Sequence, residues 1–388
     1  MNLSKTGVWA FVAGATFAAL LNAQGETGVT RATLDNGMRV VIIRDPLAPV
    51  VTVENNYLAG GNDTPEGFPG TAHAQEHMTF RGCQGVTADQ IAAIYAQLGG
   101  LSNADTQQNI TQYFVTLPSQ DLDVALRLDA ACMAGVEDSQ SEWDQERGAI
   151  QQEVARDLSN PRYKLLSRLN DDLFAGTPYQ KDPLGTTESF NKTTAAMLKE
   201  FYKRWYAPNN AILVIAGDVD PVAALDKVKK YYGSIPRRDV PAHPEIKLQP
   251  VKADTFTIDS NLPYTLTAVA YRFPGHDSPD FAPARVLADV LASERADLYG
   301  LVPQNKALFA GFQLSETYAK ASVAIAIGAI PPDADAPALD TQMQKIVTDY
   351  ATKGVPADLV EASKRSWVAN AEFQRNSITN LAALWWRR

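Results

Sequence analysis

The chain has 388 residues, 45% of them hydrophobic and 20% charged, a composition that excludes disorder and fibrous repeats and a length that calls for at least two domains. A formal net charge of -9 with no run of Lys or Arg argues against nucleic acid as a partner and leaves peptides or other proteins. With only two cysteines, Cys83 and Cys132, a disulfide framework is excluded; buried free thiols are expected, and one bridge in an oxidising compartment is the alternative.

Residues 1–23 read as a secretory signal peptide. Lys5 supplies the positive end, Val8 to Leu21 is apolar, and Ala23 is the small residue at the cut. The apolar run falls short of the roughly 20 residues a membrane span needs; a retained signal anchor is the competing reading. A strand at 31–34, a turn at Asp35-Asn36-Gly37 and a strand at 39–43 make a hairpin through an Asn-Gly turn. A further strand runs from Val50 to Leu58 and ends at Ala59-Gly60-Gly61. Helices are expected over 71–81 and 89–98, a strand over 111–117, and helices over 122–133, 142–158 and 195–205 before a buried strand at 211–216. Four prolines between Ile235 and Pro250 interrupt all periodicity, which places an interdomain linker over residues 241–252. Beyond it a strand (265–273), a helix (281–292), a β-rich stretch (321–330) and a helix (338–352) repeat the earlier order. The expected fold class is therefore α+β: two related domains, each a mainly antiparallel sheet with helices packed on one face, the second one incomplete.

The chemistry concentrates in His73-Ala74-Gln75-Glu76-His77. Two imidazoles at i and i+4 share one helix face, about 6 Å apart at Cβ, close enough to bind one metal ion. Glu76 on the adjoining edge is placed to face a bound water as general base. Only four histidines occur in the chain, so two of them in one pentapeptide is a pointed use of a scarce residue. A catalytic zinc needs a third protein ligand; Glu146 and Glu153, seven apart on the helix over 142–158, look the same way, and in isolation they would read as a solvated acidic face.

His73-x-x-Glu76-His77 followed by Met78, Phe80, Arg81 and Gly82, then Glu146-x6-Glu153, resembles the pitrilysin family of inverted-motif zinc peptidases, particularly bacterial relatives of mitochondrial processing peptidase. Ala59-Gly60-Gly61, Asn103-Ala104-Asp105, Thr111-Gln112-Tyr113 and Tyr206-Ala207-Pro208-Asn209-Asn210 are similar to further landmarks, so the resemblance covers nearly all of residues 28–240. It implies a catalytic domain over 28–240 and a second, inactive domain over 253–388 that looks truncated. It implies Zn2+ held by His73, His77 and Glu153, Glu76 as base, and Glu146 as a supporting carboxylate. It also implies a peptide substrate laid as an added strand along Gly100 to Asn109, touching Asn103 and Ala104; from the residues alone that segment is equally an ordinary loop. Two departures stand out. Cys83 replaces the Thr that follows the motif helix in the family, and Val302 and Phe309 stand in the segment (298–312) where an Arg and a Tyr would contact the substrate carbonyl. The resemblance then implies a homologous subunit without zinc that supplies those groups, as a heterodimer, or a homodimer. The expected function is a zinc endopeptidase hydrolysing short or unfolded peptides outside the cytoplasm, in the periplasm; the alternative is a non-catalytic or truncated family member that binds peptides or a partner subunit without hydrolysis.

Overall fold

The structure, a computed structural model, describes residues 28–374 and 377–385; the expected signal peptide lies outside them. The first half contains β1 (Val29–Thr33), β2 (Arg39–Arg44), β3 (Val50–Tyr57), α1 (Thr71–Thr79), the short pair β4 (Gly82–Cys83) and β5 (Val86–Thr87), α2 (Ala88–Leu98), β6 (Leu101–Thr106) and β7 (Thr111–Pro118). It continues through α3 (Leu122–Ala134), α4 (Gln140–Ser159), α5 (Pro161–Leu173), α6 (Thr187–Lys192), α7 (Ala195–Trp205), β8 (Ala211–Gly217) and α8 (Pro221–Tyr232). Residues 233–264 form no helix or strand. The second half contains β9 (Thr265–Pro274), α9 (Phe281–Ala292), β10 (Phe309–Thr317), β11 (Ala321–Ile330), α10 (Ala336–Lys353), α11 (Ala357–Gln374) and α12 (Ile378–Trp385). No described helix is long and apolar enough to cross a membrane.

The first sheet has six strands in the order β1-β2-β8-β3-β7-β6, antiparallel except where β8 runs parallel to β2. Every residue of β8 (Ala-Ile-Leu-Val-Ile-Ala-Gly) is buried, as an apolar run covered on both faces requires. Asn36 does more than turn the β1–β2 hairpin: its Nδ2 donates to the carbonyls of Tyr232 (2.8 Å) and Ile235 (2.9 Å), tying the turn to the end of α8. The second sheet has three antiparallel strands in the order β10-β11-β9. Helices α3, α7 and α8 bury the main core on one face of the first sheet, and α9, α10 and α11 do so for the second.

The two halves also exchange helices. Leu381 and Ala382 of α12 cover the other face of the first sheet against Val41, Ile43 and Val214. Leu169 and Leu173 of α5 pack against Ala321, Val323 and Ile325 of the second. These two crossings tie the halves together, and the cleft described below is lined from both.

The expectation of free thiols is overturned, because Cys83 and Cys132 form a disulfide with their Cα atoms 4.7 Å apart. Strand β4, directly after α1, packs against α3 and brings together two residues separated by 49 positions, a proximity that sequence spacing does not carry.

Candidate metal centre

Helix α1 lies among buried neighbours throughout; all of its residues except His77 are buried. Its N-terminus is set by close backbone contact. Gly70, at φ +85°, precedes the helix, and a Cβ there would meet the Cα of Gly185 at 2.6 Å, so both positions require glycine. Helix α4 packs beside it. Trp143, Ile150 and Val154 form one apolar stripe against Ala74 and Met78, while the Trp143 indole N–H donates to the Thr193 carbonyl at 2.8 Å. That stripe fixes the rotation of α4 and leaves Glu146 and Glu153, two turns apart, facing the two histidines.

His73 Nδ1 lies 3.0 Å from the Leu184 carbonyl, which can only accept, so this nitrogen carries the proton. His77 Nδ1 likewise donates to Glu146 Oε1 at 2.8 Å. The other oxygen of Glu146 takes Arg81 in a charge-assisted pair. Burial alone would raise the Glu146 carboxyl, but His77 and Arg81 overcome it and hold the group below the ordinary range, as an anion. Both histidines thus turn their Nε2 atoms toward the same point, 3.1 Å from each other, and Glu153 Oε2 stands 3.6 and 3.5 Å from them. Ligand atoms of all three residues fall within 4.8 Å of one another, the one such group among the described residues.

Two nitrogens bound to one zinc at tetrahedral angles stand roughly 3.3 Å apart, close to the separation found. The donor set therefore fits a divalent ion. Two neutral Nε2 lone pairs facing each other beside a carboxylate are mutually repulsive until a cation or a proton sits between them. Electrostatics say the same of the metal-free state. Burial disfavours charge on His73, yet Glu153, Glu76 and the Leu184 carbonyl outweigh it and raise its pKa. Glu153, beside His73 Nε2 at 3.6 Å, is lowered to about 2 by the pull of His73.

Glu76 is buried beside this point. Burial raises its pKa, against the opposing pull of Thr106 and the two histidines. Thr106 Oγ1 donates to Glu76 Oε2 at 2.5 Å and thereby holds the carboxylate in place from the end of β6. The cluster opens onto a cleft of about 710 Å³, lined on one side by residues 103–109 and on the other by Tyr163, Leu184, Glu316 and Tyr318.

Residues 39–187 match the family model described as Insulinase (Peptidase family M16), and residues 192–366 match Peptidase M16 inactive domain. The chain belongs to the M16 peptidase family. Among its relatives is the zinc protease PqqE of Helicobacter pylori, 30% identical over 226 residues that cover 57% of this chain and 50% of that protein. The chain spans about half the length of the curated relatives it matches. A crystal structure of a protease from Helicobacter pylori superposes with a TM-score of 0.81 at 24% identity, covering 92% of this chain and 88% of that one. The first half of the periplasmic protease PqqL from Escherichia coli gives 0.76 at 20% identity, covering 92% and 81%.

Of the residues singled out in the sequence, His73, His77, Glu76, Glu146 and Glu153 come together in this M16 chain, and Asn103 and Ala104 line the same cleft. Within the polar stretch 100–109, Leu101–Thr106 is an edge strand: among the described residues β6 pairs only with β7. Val302 and Phe309 lie away from the cleft, Val302 against the second core and Phe309 53% exposed. Tyr318, stacked on Tyr179 with ring centroids 4.5 Å apart, is the second-half tyrosine that does line it. Sequence reasoning missed Tyr318 and Thr106. Thr106, two residues past Ala104 in a strand that points alternate side chains to one face, was within reach; nothing local marks Tyr318.

Proposed function

We propose that this chain is a zinc-dependent endopeptidase that hydrolyses short or unfolded peptides. The observation that carries the proposal is the convergence of His73, His77 and Glu153 with Glu76 at the mouth of the cleft. His73, His77 and Glu153 would hold the ion, and Glu146 orients His77 from behind. A bound zinc supplies Lewis acidity toward the peptide carbonyl and makes a coordinated water easier to deprotonate. Glu76 takes the proton from the attacking water at Oε1 or Oε2 and returns it to the departing amine nitrogen. Thr106 keeps the carboxylate aimed while it does so. The open edge of β6 offers main-chain groups at Asn103 and Ala104 to an extended peptide, which would join the sheet as an added strand and bind with little regard to sequence.

We assign this chemistry to residues 28–240, a linker to 241–252, and an inactive second domain to 253–388. Work outside the cytoplasm, in the periplasm, is supported by the signal-like residues 1–23, the disulfide, and the periplasmic location named for PqqL. A homologous subunit without zinc, or a second copy of the chain, would supply the arginine that none of the described residues lining the cleft provides.

Metal content and hydrolysis of a quenched fluorescent peptide test the proposal, with Glu76→Gln as the control and with any co-purifying subunit added or withheld. One zinc per chain in both proteins, with hydrolysis reduced by about 10²–10⁴-fold in Glu76→Gln, is the expected result. Absence of zinc would overturn the assignment, and bound zinc without hydrolysis in any combination would leave a protein that only binds.

A further inference from the structure

Resting on the peptidase reading of the cleft, we propose that Tyr113 is a positioning residue: through Thr79, its hydroxyl holds the peptide unit between Gln75 and Glu76 of α1 in place behind the β6 edge. Tyr113 lies on β7, directly opposite Ala104 of β6 in the sheet register. Its ring is half-buried, stands edge-on to Tyr57 with centroids 5.9 Å apart, and carries its hydroxyl to the last residue of α1.

The protons of this contact can be ordered in one way only. Thr79 Oγ1 lies 3.0 Å from the Gln75 carbonyl one turn back, and a carbonyl can only accept, so the single Thr79 proton goes there. At 3.1 Å from the Tyr113 hydroxyl, Thr79 Oγ1 must then accept from it. With its own proton committed to Thr79, Tyr113 accepts in turn from the Tyr206 hydroxyl at 2.8 Å. Burial first, then Tyr206 and the charge of Glu76, push the Tyr113 phenol up, so it keeps the proton that this order requires. Burial does the same for Tyr206, which is 1% exposed.

The last acceptor in the series is what ties it to the metal centre. The Gln75 carbonyl and the Glu76 amide nitrogen share one peptide unit, and the turn from 75 to 79 also contains His77. A threonine bonded back to the carbonyl four residues earlier influences the local curvature of its helix, and hydroxyls that donate in series strengthen one another. Glu76 is thereby held twice, by Thr106 of β6 at its carboxylate and by Tyr113 of β7 through its backbone. Because β6 and β7 pair from Leu101 to Thr106, the edge that would receive a peptide and the helix that bears the base are kept in one register.

Removing either hydroxyl tests the proposal on the full chain. In Tyr113→Phe and in Thr79→Val, zinc affinity measured by competition with a chelator should weaken about 10-fold. On a quenched fluorescent peptide kcat should fall about 10-fold while KM stays within about twofold, since binding at the β6 edge is left intact. The double variant should be no worse than either single one, and Thr79→Ser, which keeps the hydroxyl, should match the wild type. Tyr206→Phe is the control for a purely structural loss: it removes a buried hydroxyl from the same network, so the urea midpoint should fall while zinc affinity and kcat hold within about twofold. Losses that multiply in the double variant, or a Tyr206→Phe chain as impaired as Tyr113→Phe, would overturn the assignment. Zinc affinity that falls in both variants of a chain hydrolysing nothing would sustain the positioning role and sink the peptidase; unchanged zinc affinity and kcat in both variants of an active chain would sink the positioning role and leave the peptidase standing.

Discussion

The two halves of the molecule follow one path and do different things. In the first, β3 leads through helices to the antiparallel pair β6–β7 and on to α3, with spatial order β3-β7-β6; in the second, β9 leads through α9 to β10–β11 and α10, with order β9-β11-β10. The helical positions between the first strand and the pair hold Thr-Ala-His-Ala-Gln-Glu-His in one case and Phe-Ala-Pro-Ala-Arg-Val-Leu in the other. The first set holds two imidazoles, that of His73 buried and that of His77 half-buried, with a buried carboxylate, and satisfies them from α4, β6 and the Leu184 carbonyl. In the second set Val286 and Leu287 pack half-buried against the core that Ala288, Val290 and Leu291 of the same helix enter, and they need no such support. The scaffold tolerates either, so the candidate metal centre is an addition to the fold and not a condition of it.

The comparison breaks most sharply at the ligands. His77→Ala should take zinc from one per chain to near none after dialysis and abolish hydrolysis, while circular dichroism still reports a folded chain; loss of fold on losing one ligand would mean that the first half depends on its metal after all. A core substitution in the second half should do the reverse. Met343, fully buried over Gly328, cut to alanine should cost about 2–5 kcal/mol in urea unfolding and leave the zinc content of the folded protein unchanged. A fall in zinc content would show that the exchanged helices transmit damage from one sheet to the other. The smallest effect is expected at Arg81→Gln, which removes the cation from Glu146 without touching a ligand. Zinc affinity measured by competition with a chelator should weaken by about 10–100-fold. No change would assign the orientation of His77 to Glu146 alone.

The sequence by itself carried the β1–β2 hairpin, the strands and helices with strong periodicity, the repeat of their order, and the histidine pair with Glu76, because i, i+4 spacing on one helix is local geometry, while Glu146 and Glu153 alone read as a solvated acidic face. Family likeness then joined the two helices. Other elements escaped it. Strand β6, Leu-Ser-Asn-Ala-Asp-Thr, has the composition of a loop and becomes a strand because β7 pairs with it along its whole length. Helix α5 was not expected, although Asn160 caps it and Pro161 begins it, and its place beneath the second sheet follows from where that sheet lies. Only the tertiary structure decided the disulfide, the exchange of helices between halves, the hydroxyl of Thr106 on Glu76, and the place of Tyr318 from the second half in the cleft. Each of these is a contact between residues distant in the chain, set by how sheets and helices pack and not by the spacing of residues along it.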